Sequence, residues 1–366
     1  MDDILNRFSG YHDRGTGLAP VNLCMGSSAF DVRSQVTLAL DDSELNLSAY
    51  VDPRGAAPLR AAISEHYLRR QSVAINPDRI LVTDGALGAL HIAFLLLAAP
   101  GDDVIVPEIA FPAFRDFIAV IGARMVTVST DYDLAAVRAA VTQRTRAIVV
   151  NSPSNPLGTL VSRARLEGLC SLGIPVISDE VYVDFGFDGD APSAAPYADD
   201  HFIIGSLSKA FGVPALRIGY LIVPPRWLES AIAIKATLNV CTSVPAQLIA
   251  QRLIAAGDPI IAAHREHVQR NRDYTVNWCN REGLRMRNVP EGGFYCNLVP
   301  DAPIAGGSLE IARRLVDELG VAVFPGSDFA DRDPGFIRIN YARSRAELEM
   351  ALPRLKAFFA AAARQS

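Results

Sequence analysis

The chain has 366 residues, of which 50% are hydrophobic and 20% charged, and its formal net charge is −5. This composition is typical of a folded protein with a sizeable core, in two domains or in one large domain with an appendage. No run of Lys or Arg is present, so we expect no nucleic-acid partner. The five scattered cysteines form no CxxC pair and indicate neither a disulfide framework nor a zinc site.

The N-terminal residues MDDILNRFSG are acidic, whereas a signal peptide begins with basic residues. The longest apolar run, residues 92–99, is too short to span a bilayer. We therefore expect a cytoplasmic protein with no membrane partner.

From about residue 79 onward, apolar β-branched runs alternate with segments of helical length and period. The predicted strands are, in chain order, ILVTDG, DDVIVPE, ARMVTVST, RAIVVNSP, PVISDEV, FIIGS and RIGYLIVP. Near-continuous apolar strands that alternate with helices predict an α/β fold, in which helices cover both faces of a mostly parallel sheet.

After Pro225 the pattern becomes helical, first in RWLESAIAIKA and then from Pro259 to about Asn280. The short strands GGFYCNLV, VAVFPG and FIRINYA follow, with helices near 309–319 and 344–364. We therefore predict a large domain over residues 36–258, and a smaller α+β domain that combines residues 1–35 and 259–366.

Chemically distinctive residues follow the predicted strands, at the edge of an open α/β sheet where ligands bind. They are Asn155, Asp179, Tyr182, Ser206, Ser208, Lys209 and Arg217, together with Gly85, Ala86 and Leu87 at the start of a helix whose free N–H groups suit a phosphate. An amine, a carboxylate, a phenol and an anion site together suit pyridoxal phosphate, an aldehyde cofactor with a pyridine ring.

Lys209 lies in GSLSKAFGVPALRIGY, among small and apolar residues and eight positions before Arg217. Desolvation and a nearby cation are expected to lower the pKa of this lysine. A lysine of lowered pKa forms imines readily and can later act as a general base.

These motifs resemble those of the class I and II aminotransferases, which are fold type I pyridoxal-phosphate enzymes. SLSK followed by Arg217 is similar to the family's S-x-S-K…R, NSPSNPLG to N-P-x-N-P-T-G, and SDEVY to D-E-x-Y. The resemblance implies that Lys209 is the Schiff-base lysine and that Asp179 binds the ring nitrogen. It further implies that Asn155 and Tyr182 bind the ring hydroxyl, and that Ser206, Ser208 and Arg217 bind the phosphate.

Four more residues match family positions. Phe111 in PEIAFPAF corresponds to the aromatic residue that stacks on the pyridine ring, and Arg338 in FIRINYA to the arginine that binds the substrate α-carboxylate. Gly26 in LCMGSSAF is expected on the substrate side, as is Asn155. Tyr50 in YVDPRGAAPLR matches the tyrosine that reaches the partner's phosphate, which implies a homodimer.

The chain also departs from the family pattern. Leu157 replaces a threonine, and Leu87 and Gly88 stand where a polar residue is common. No second cation for a distal acidic group is evident, and Phe30 and Phe114 suggest apolar walls. The missing second cation and the aromatic residues favour a substrate with a neutral or aromatic side chain. Leu157 and the altered start of the phosphate-loop helix slightly favour a reaction other than transamination.

We therefore predict a pyridoxal-phosphate-dependent aminotransferase that moves an amino group from an L-amino acid to a 2-oxo acid in ping-pong fashion. One alternative keeps the cofactor without transamination, as a β- or γ-lyase, a cyclase or an oxygen-using oxidase. A more distant alternative is a non-catalytic, aminotransferase-like regulator. His264 and His267 in HREH are better explained as a solvated helix face than as a metal site.

Overall fold

Seven apolar segments form the central sheet of this computed structural model, which describes residues 2–9, 18–41 and 48–364. After a short strand β1 (Val21–Asn22), the strands of this sheet are β2 (Ile80–Asp84), β3 (Asp103–Pro107), β4 (Arg124–Val128), β5 (Thr145–Asn151), β6 (Val176–Asp179), β7 (Phe202–Ser206) and β8 (Ile218–Ile222). Their order is β2-β8-β7-β6-β5-β3-β4. Only β8 runs antiparallel to its neighbours β2 and β7, so the predicted mostly parallel sheet is confirmed.

Helices cover both faces of this sheet. The helices of the described chain are α1 (Asp2–Ser9), α2 (Ala57–Gln71), α3 (Gly85–Leu97), α4 (Pro112–Val120), α5 (Leu134–Ala140), α6 (Arg163–Cys170), α7 (Leu207–Ala210), α8 (Leu228–Asn239), α9 (Val244–Glu282), α10 (Gly307–Leu319) and α11 (Arg345–Ala363). Among the residues described, no helix is long and apolar enough to cross a membrane.

Alternation along the strands explains why both faces need cover. Ile203 and Ile204 are fully buried neighbours on β7, and successive strand side chains point to opposite faces. Ile203 packs in one core with α2 and α9, and Ile204 in another with α3 and α8. Their burial on both faces produces the near-continuous apolar runs seen in the sequence.

The C-terminal part of the chain builds two smaller sheets. Strands β9 (Tyr295–Leu298), β11 (Phe324–Pro325) and β12 (Ile337–Asn340) form an antiparallel sheet in the order β11-β12-β9, and β10 (Val321–Ala322) pairs in parallel with β1. The segment VAVFPG, predicted as one strand, thus contributes to two different sheets. The division into two domains stays a prediction, with residues 36–258 in the large domain and residues 1–35 and 259–366 in the small one.

Helix α9 is longer than predicted. It begins at Val244 rather than near Pro259, and it is kinked at Gly257, where φ is 28° and ψ is −110°. Pro259 follows this kink, and a proline is tolerated in the first turn after such a break because it has no N–H to donate.

The prediction of a solvated HREH face is wrong for His264. Its side chain is buried, its ring stacks on Phe30 with a centroid separation of 4.5 Å, and its Nε2 lies 2.8 Å from Ser28 Oγ. Burial lowers the pKa of His264 to about 4. The charged neighbours Arg265 and Glu266 give this segment the composition of a solvated face, although one histidine within it packs in the core.

Candidate active site

A cavity of about 250 Å³ lies at the carboxyl ends of the central strands. Asn151, Asp179 and Ser206 are the last residues of β5, β6 and β7, and all three line the cavity. The predicted site residues that line it are Gly26, Ala86, Leu87, Phe111, Asn155, Asp179, Tyr182, Ser206, Ser208, Lys209, Arg217 and Arg338. The fold thus brings together groups that are up to about 300 residues apart in the sequence.

Lys209 projects into the cavity from the short helix α7. Ser206 caps this helix because its Oγ accepts a hydrogen bond from the Ser208 N–H at 3.1 Å. The Lys209 Nζ donates to the Gly26 carbonyl at 2.6 Å. Burial lowers the pKa of Lys209, and the nearby Tyr295 phenol partly opposes this shift. The positive charges of Arg338 and Arg217 lower the pKa further.

Asp179 is a buried carboxyl on the cavity wall, 3% exposed. Burial raises its pKa to about 7, because water no longer solvates the carboxylate. The carboxylate accepts one long hydrogen bond, from the Val181 N–H at 3.4 Å. A cationic N–H donor that entered the cavity would stabilise the ionised form of Asp179.

Arg217 and the start of α3 form an anion site. The backbone of Arg217 is left-handed (φ 57°), and its guanidinium donates to the carbonyls of Pro214 at 3.0 Å and Asp84 at 3.3 Å. Gly85 opens α3 at φ +72°, and a Cβ at this position would overlap the Arg217 guanidinium. Gly85 therefore keeps the arginine next to the free N–H groups of the first helical turn.

Arg338 on β12 is a buried cation held by neutral partners. Its Nη1 donates to Asn155 Oδ1 at 2.6 Å and its Nη2 to the Cys24 carbonyl at 2.7 Å. Its Cζ lies 3.9 Å from the centroid of the Tyr295 ring and 4.4 Å from that of Phe324. Its Nε is buried with no hydrogen-bond partner among the residues described. An anionic ligand would compensate this charge.

The turn after β5 holds Asn155 in place. Its N–H donates to Asn151 Oδ1 at 2.7 Å, and the Asn151 side chain donates to the Asp179 carbonyl at 3.1 Å. The peptide between Asn155 and Pro156 is cis. Leu157, a departure from the family motif, is 5% exposed and packs in the core next to this turn. The turn and the end of β6 are therefore one hydrogen-bonded unit.

Two predicted residues do not line the cavity. Gly85 lies just behind the lining, as its position against Arg217 requires. Tyr50 is 83% exposed and is not among the residues that line the cavity of its own chain. Its proposed contact with a partner subunit stays a prediction.

Sequence reasoning missed Tyr295, whose Oη lies 2.8 Å from the Tyr182 Oη inside the cavity. It also missed Asn151 and the Cys24 carbonyl. The pattern of GGFYCNLV indicates only a strand, although alternation along that strand places one of its two adjacent aromatic residues toward the site.

The sheet, its two covering layers and the placement of these groups define the aspartate-aminotransferase-like fold, fold type I. The profile of the family "Aminotransferase class I and II" matches residues 19–355, and the chain belongs to this family. It is therefore an aminotransferase.

Relatives of this chain cover nearly its whole length. The aspartate/prephenate aminotransferase of Thermus thermophilus is 31% identical over 356 residues, which are 93% of this chain and 91% of that protein. The arginine–pyruvate transaminase of Pseudomonas aeruginosa is 31% identical over 91% of this chain and 88% of its own. The crystal structure of the Thermotoga maritima aspartate aminotransferase superposes with a TM-score of 0.88 at 28% identity, covering 98% of this chain and 96% of that chain.

Proposed function

We propose that this aminotransferase transfers the amino group of an L-amino acid with a neutral or aromatic side chain to a 2-oxo acid. We further propose that it does so with pyridoxal phosphate bound in the cavity described above. The charges on the cavity wall carry this proposal.

The charged side chains of the cavity are Asp179, Lys209, Arg217 and Arg338. Each has a use in holding the cofactor or the substrate α-carboxylate, so none of the described lining residues is left to pair with a charged substrate side chain. The other walls include the apolar residues Met25, Leu87, Leu90, Pro214 and Phe324. An apolar pocket binds uncharged side chains. It binds charged ones poorly, because they would lose their water without gaining a partner.

The chemistry of the donor set fits pyridoxal phosphate, the cofactor of this family. Arg217, the Ser208 hydroxyl and the first N–H groups of α3 suit a phosphate, with Gly85 leaving room for the guanidinium. Asp179 suits a protonated ring nitrogen, because its carboxylate is buried and, among the described residues, accepts one long hydrogen bond. Phe111 is half-buried on the cavity wall, as a ring that covers a pyridine face would be.

When bound, pyridoxal phosphate supplies an aldehyde for an amine and a protonated ring that accepts electrons from the substrate α-carbon. Asp179 would hold the proton on the ring nitrogen through its Oδ atoms. The Lys209 Nζ loses its proton more readily than that of an exposed lysine, because burial lowers its pKa. It would then act as nucleophile and later as the base that accepts the substrate α-proton.

Arg338 would bind the substrate α-carboxylate and so orient the α-proton toward Lys209. Tyr182 would donate its O–H toward the ring oxygen, since this phenol keeps its proton. Burial, and to a smaller extent the nearby Tyr295, raise the pKa of Tyr182 well above its usual value. Asn155 would donate from Nδ2, because its Oδ1 faces Arg338. The two half-reactions, with an amino acid and then with a 2-oxo acid, use these same residues in opposite directions.

We also propose a cytoplasmic homodimer in which Tyr50 contacts the partner's phosphate site. The high exposure of Tyr50 in one chain, 83%, is consistent with this arrangement. The division into residues 36–258 and residues 1–35 plus 259–366 belongs to the same proposal.

The test is to record the absorption spectrum of the purified protein while amino acids are added singly, with and without oxygen. We expect the added amino acid to change the spectrum of the bound cofactor and to release one equivalent of 2-oxo acid. We also expect kcat/KM to be at least about tenfold higher for phenylalanine or leucine than for aspartate or arginine. A preference for aspartate or arginine would refute the substrate class. Oxygen uptake, or a product other than the oxo acid, would refute transamination.

A further inference from the structure

Tyr295 occupies a central position in the cavity. Its Oη lies 2.8 Å from the Tyr182 Oη, and its ring lies under the Arg338 guanidinium with Cζ 3.9 Å from the centroid. A Cβ at Gly26 would overlap the Tyr295 hydroxyl and would lie 3.2 Å from the Lys209 Nζ. One side chain thus meets the proposed cofactor site through its hydroxyl and the proposed carboxylate site through its ring.

The hydrogen bond between the two phenols has a direction that the cofactor site requires. A phenol has one O–H to donate and lone pairs with which to accept. If Tyr182 donates its only proton to the ring oxygen, it must accept in the bond with Tyr295, and Tyr295 must donate. A hydroxyl that accepts one hydrogen bond becomes a stronger donor in the next.

We propose that Tyr295 is a positioning residue that donates to Tyr182 and so directs and strengthens the Tyr182 hydrogen bond to the ring oxygen of the cofactor. Its ring has a separate role, which is to support Arg338 for the substrate carboxylate. This inference rests on the proposed function, because it presupposes pyridoxal phosphate in the cavity.

Loss of the Tyr295 hydroxyl should shift the midpoint of the pH titration that is followed by the absorption of bound pyridoxal phosphate. A hydrogen bond to the anionic ring oxygen stabilises its deprotonated form, so a weaker bond moves the transition to higher pH. We expect Tyr295→Phe to raise the midpoint by a few tenths of a pH unit, because it weakens the Tyr182 hydrogen bond without removing it. Tyr182→Phe should raise it at least as far.

A double-mutant cycle tests whether Tyr295 acts through Tyr182. If it does, the variant carrying both Tyr182→Phe and Tyr295→Phe should have the midpoint of Tyr182→Phe alone. The matched control is Tyr341→Phe, because Tyr341 is a buried tyrosine that donates to the Gly293 carbonyl at 2.9 Å but does not line the cavity. This control should titrate like the wild type, and thermal unfolding of the cofactor-free proteins monitors folding.

A second pair of variants separates the ring from the hydroxyl. Tyr295→Phe keeps an aromatic face under Arg338, whereas Tyr295→Leu removes it. We expect Tyr295→Leu to raise KM for the amino acid about 3- to 30-fold, and Tyr295→Phe to leave KM within about twofold. Equal KM values in the two variants would overturn the role of the ring.

The outcomes distinguish this inference from the proposal on which it rests. If the wild type retains no pyridoxal phosphate after unbound cofactor is removed by gel filtration, both fail. If the wild type titrates and Tyr295→Phe titrates at the same pH, only the role of the Tyr295 hydroxyl fails. A double variant with a midpoint well above that of Tyr182→Phe would also overturn it, because Tyr295 would then act independently of Tyr182.

Discussion

The Nη1 of Arg338 donates a hydrogen bond of 2.6 Å to the Oδ1 of Asn155, a residue 183 positions earlier in the chain. The bond joins β12 to the turn after β5 and fixes the orientation of the amide. Because Oδ1 faces the arginine, the Nδ2 of Asn155 faces away from it and can donate to a ligand. The proposed carboxylate site and the proposed ring-oxygen site therefore share one hydrogen-bonded pair.

The first prediction concerns Arg338. Arg338→Leu should lower kcat/KM for amino acids about 10- to 150-fold, since a charge-assisted hydrogen-bonded contact contributes about 1.5–3 kcal/mol. Steady-state kinetics with a neutral amino acid and with the matching amine, which lacks the carboxylate, would measure the effect. The amine should lose much less kcat/KM than the amino acid, because it is affected only through the lost contact with Asn155.

Arg343→Leu is the matched control for Arg338. Arg343 is a nearby, partly buried arginine, but its charge is paired with Glu347 and it donates to Ser27 Oγ at 3.1 Å. Its loss should leave kcat/KM within about threefold. A similar loss of kcat/KM in both variants would argue that Arg338 stabilises the fold and does not bind the carboxylate.

The second prediction concerns the pH dependence of stability. Burial raises the pKa of Asp179 to about 7 in the folded protein, so the folded state keeps a proton that the unfolded chain releases. The contribution of Asp179 to the free energy of unfolding of the cofactor-free protein is therefore fully present below about pH 4 and is lost as the pH rises to about 7, by roughly 4 kcal/mol at most. Urea unfolding at several pH values would measure it.

Asp179→Asn isolates this contribution from that of Glu180, whose pKa is raised by burial as well. The variant should be less sensitive to pH between about 4 and 7 than the wild type, and it should still bind cofactor while losing at least about 10²-fold in turnover. If the free energy of unfolding of the two proteins changed in parallel with pH, Asp179 would not be the source of the pH dependence. A near-normal turnover rate of Asp179→Asn would refute its role in catalysis.

The sequence predicted the sheet well because most of its strands are buried on both faces, although most residues of the edge strand β4 are exposed or half-buried. Such strands leave long apolar runs, and all seven runs became strands. The short strands were harder, because β10 and β11 have two residues each and owe their existence to partners elsewhere in the chain. Local pattern carries no information about such partners.

For the candidate site as well, the sequence predicted some residues and missed others. Lys209, Asp179 and Arg217 could be predicted because each belongs to a short motif at a strand end. Tyr295 could not, since its importance comes from two contacts with residues more than 40 positions away, Tyr182 and Arg338. Leu157 slightly favoured a reaction other than transamination, but its side chain packs in the core and is not among the described residues that line the cavity.

The third prediction concerns Gly85. Gly85→Ala should weaken binding of pyridoxal phosphate by at least about tenfold, because the new Cβ would displace the Arg217 guanidinium from the anion site. Gly101→Ala provides a control with a similar backbone, since Gly101 has φ +87° and a Cβ there would meet no described atom within 4 Å. Both variants should lose stability, about 1–2 kcal/mol from the left-handed backbone. Equal cofactor affinity in the two variants would contradict the role of Gly85.

The fourth prediction concerns the covalent attachment of the cofactor. Lys209→Ala should bind pyridoxal phosphate without retaining it after borohydride reduction, whereas the wild type should gain the mass of one reduced cofactor. Lys235→Ala is the control, because Lys235 is also a buried lysine whose pKa is lowered by burial, yet it lies outside the cavity lining. Retention of the cofactor mass by Lys209→Ala would refute the assignment.

The last prediction concerns Tyr50 and the proposed homodimer. Tyr50→Asp should abolish activity by repelling the phosphate of the partner's site, although the residue is 83% exposed in its own chain and the fold should tolerate the change. In a mixed dimer with Lys209→Ala, one site would carry both changes and the other neither. Equal mixing should therefore restore about a quarter of the wild-type activity. If subunit exchange is demonstrated by mass spectrometry and activity stays absent, each site is built from a single chain.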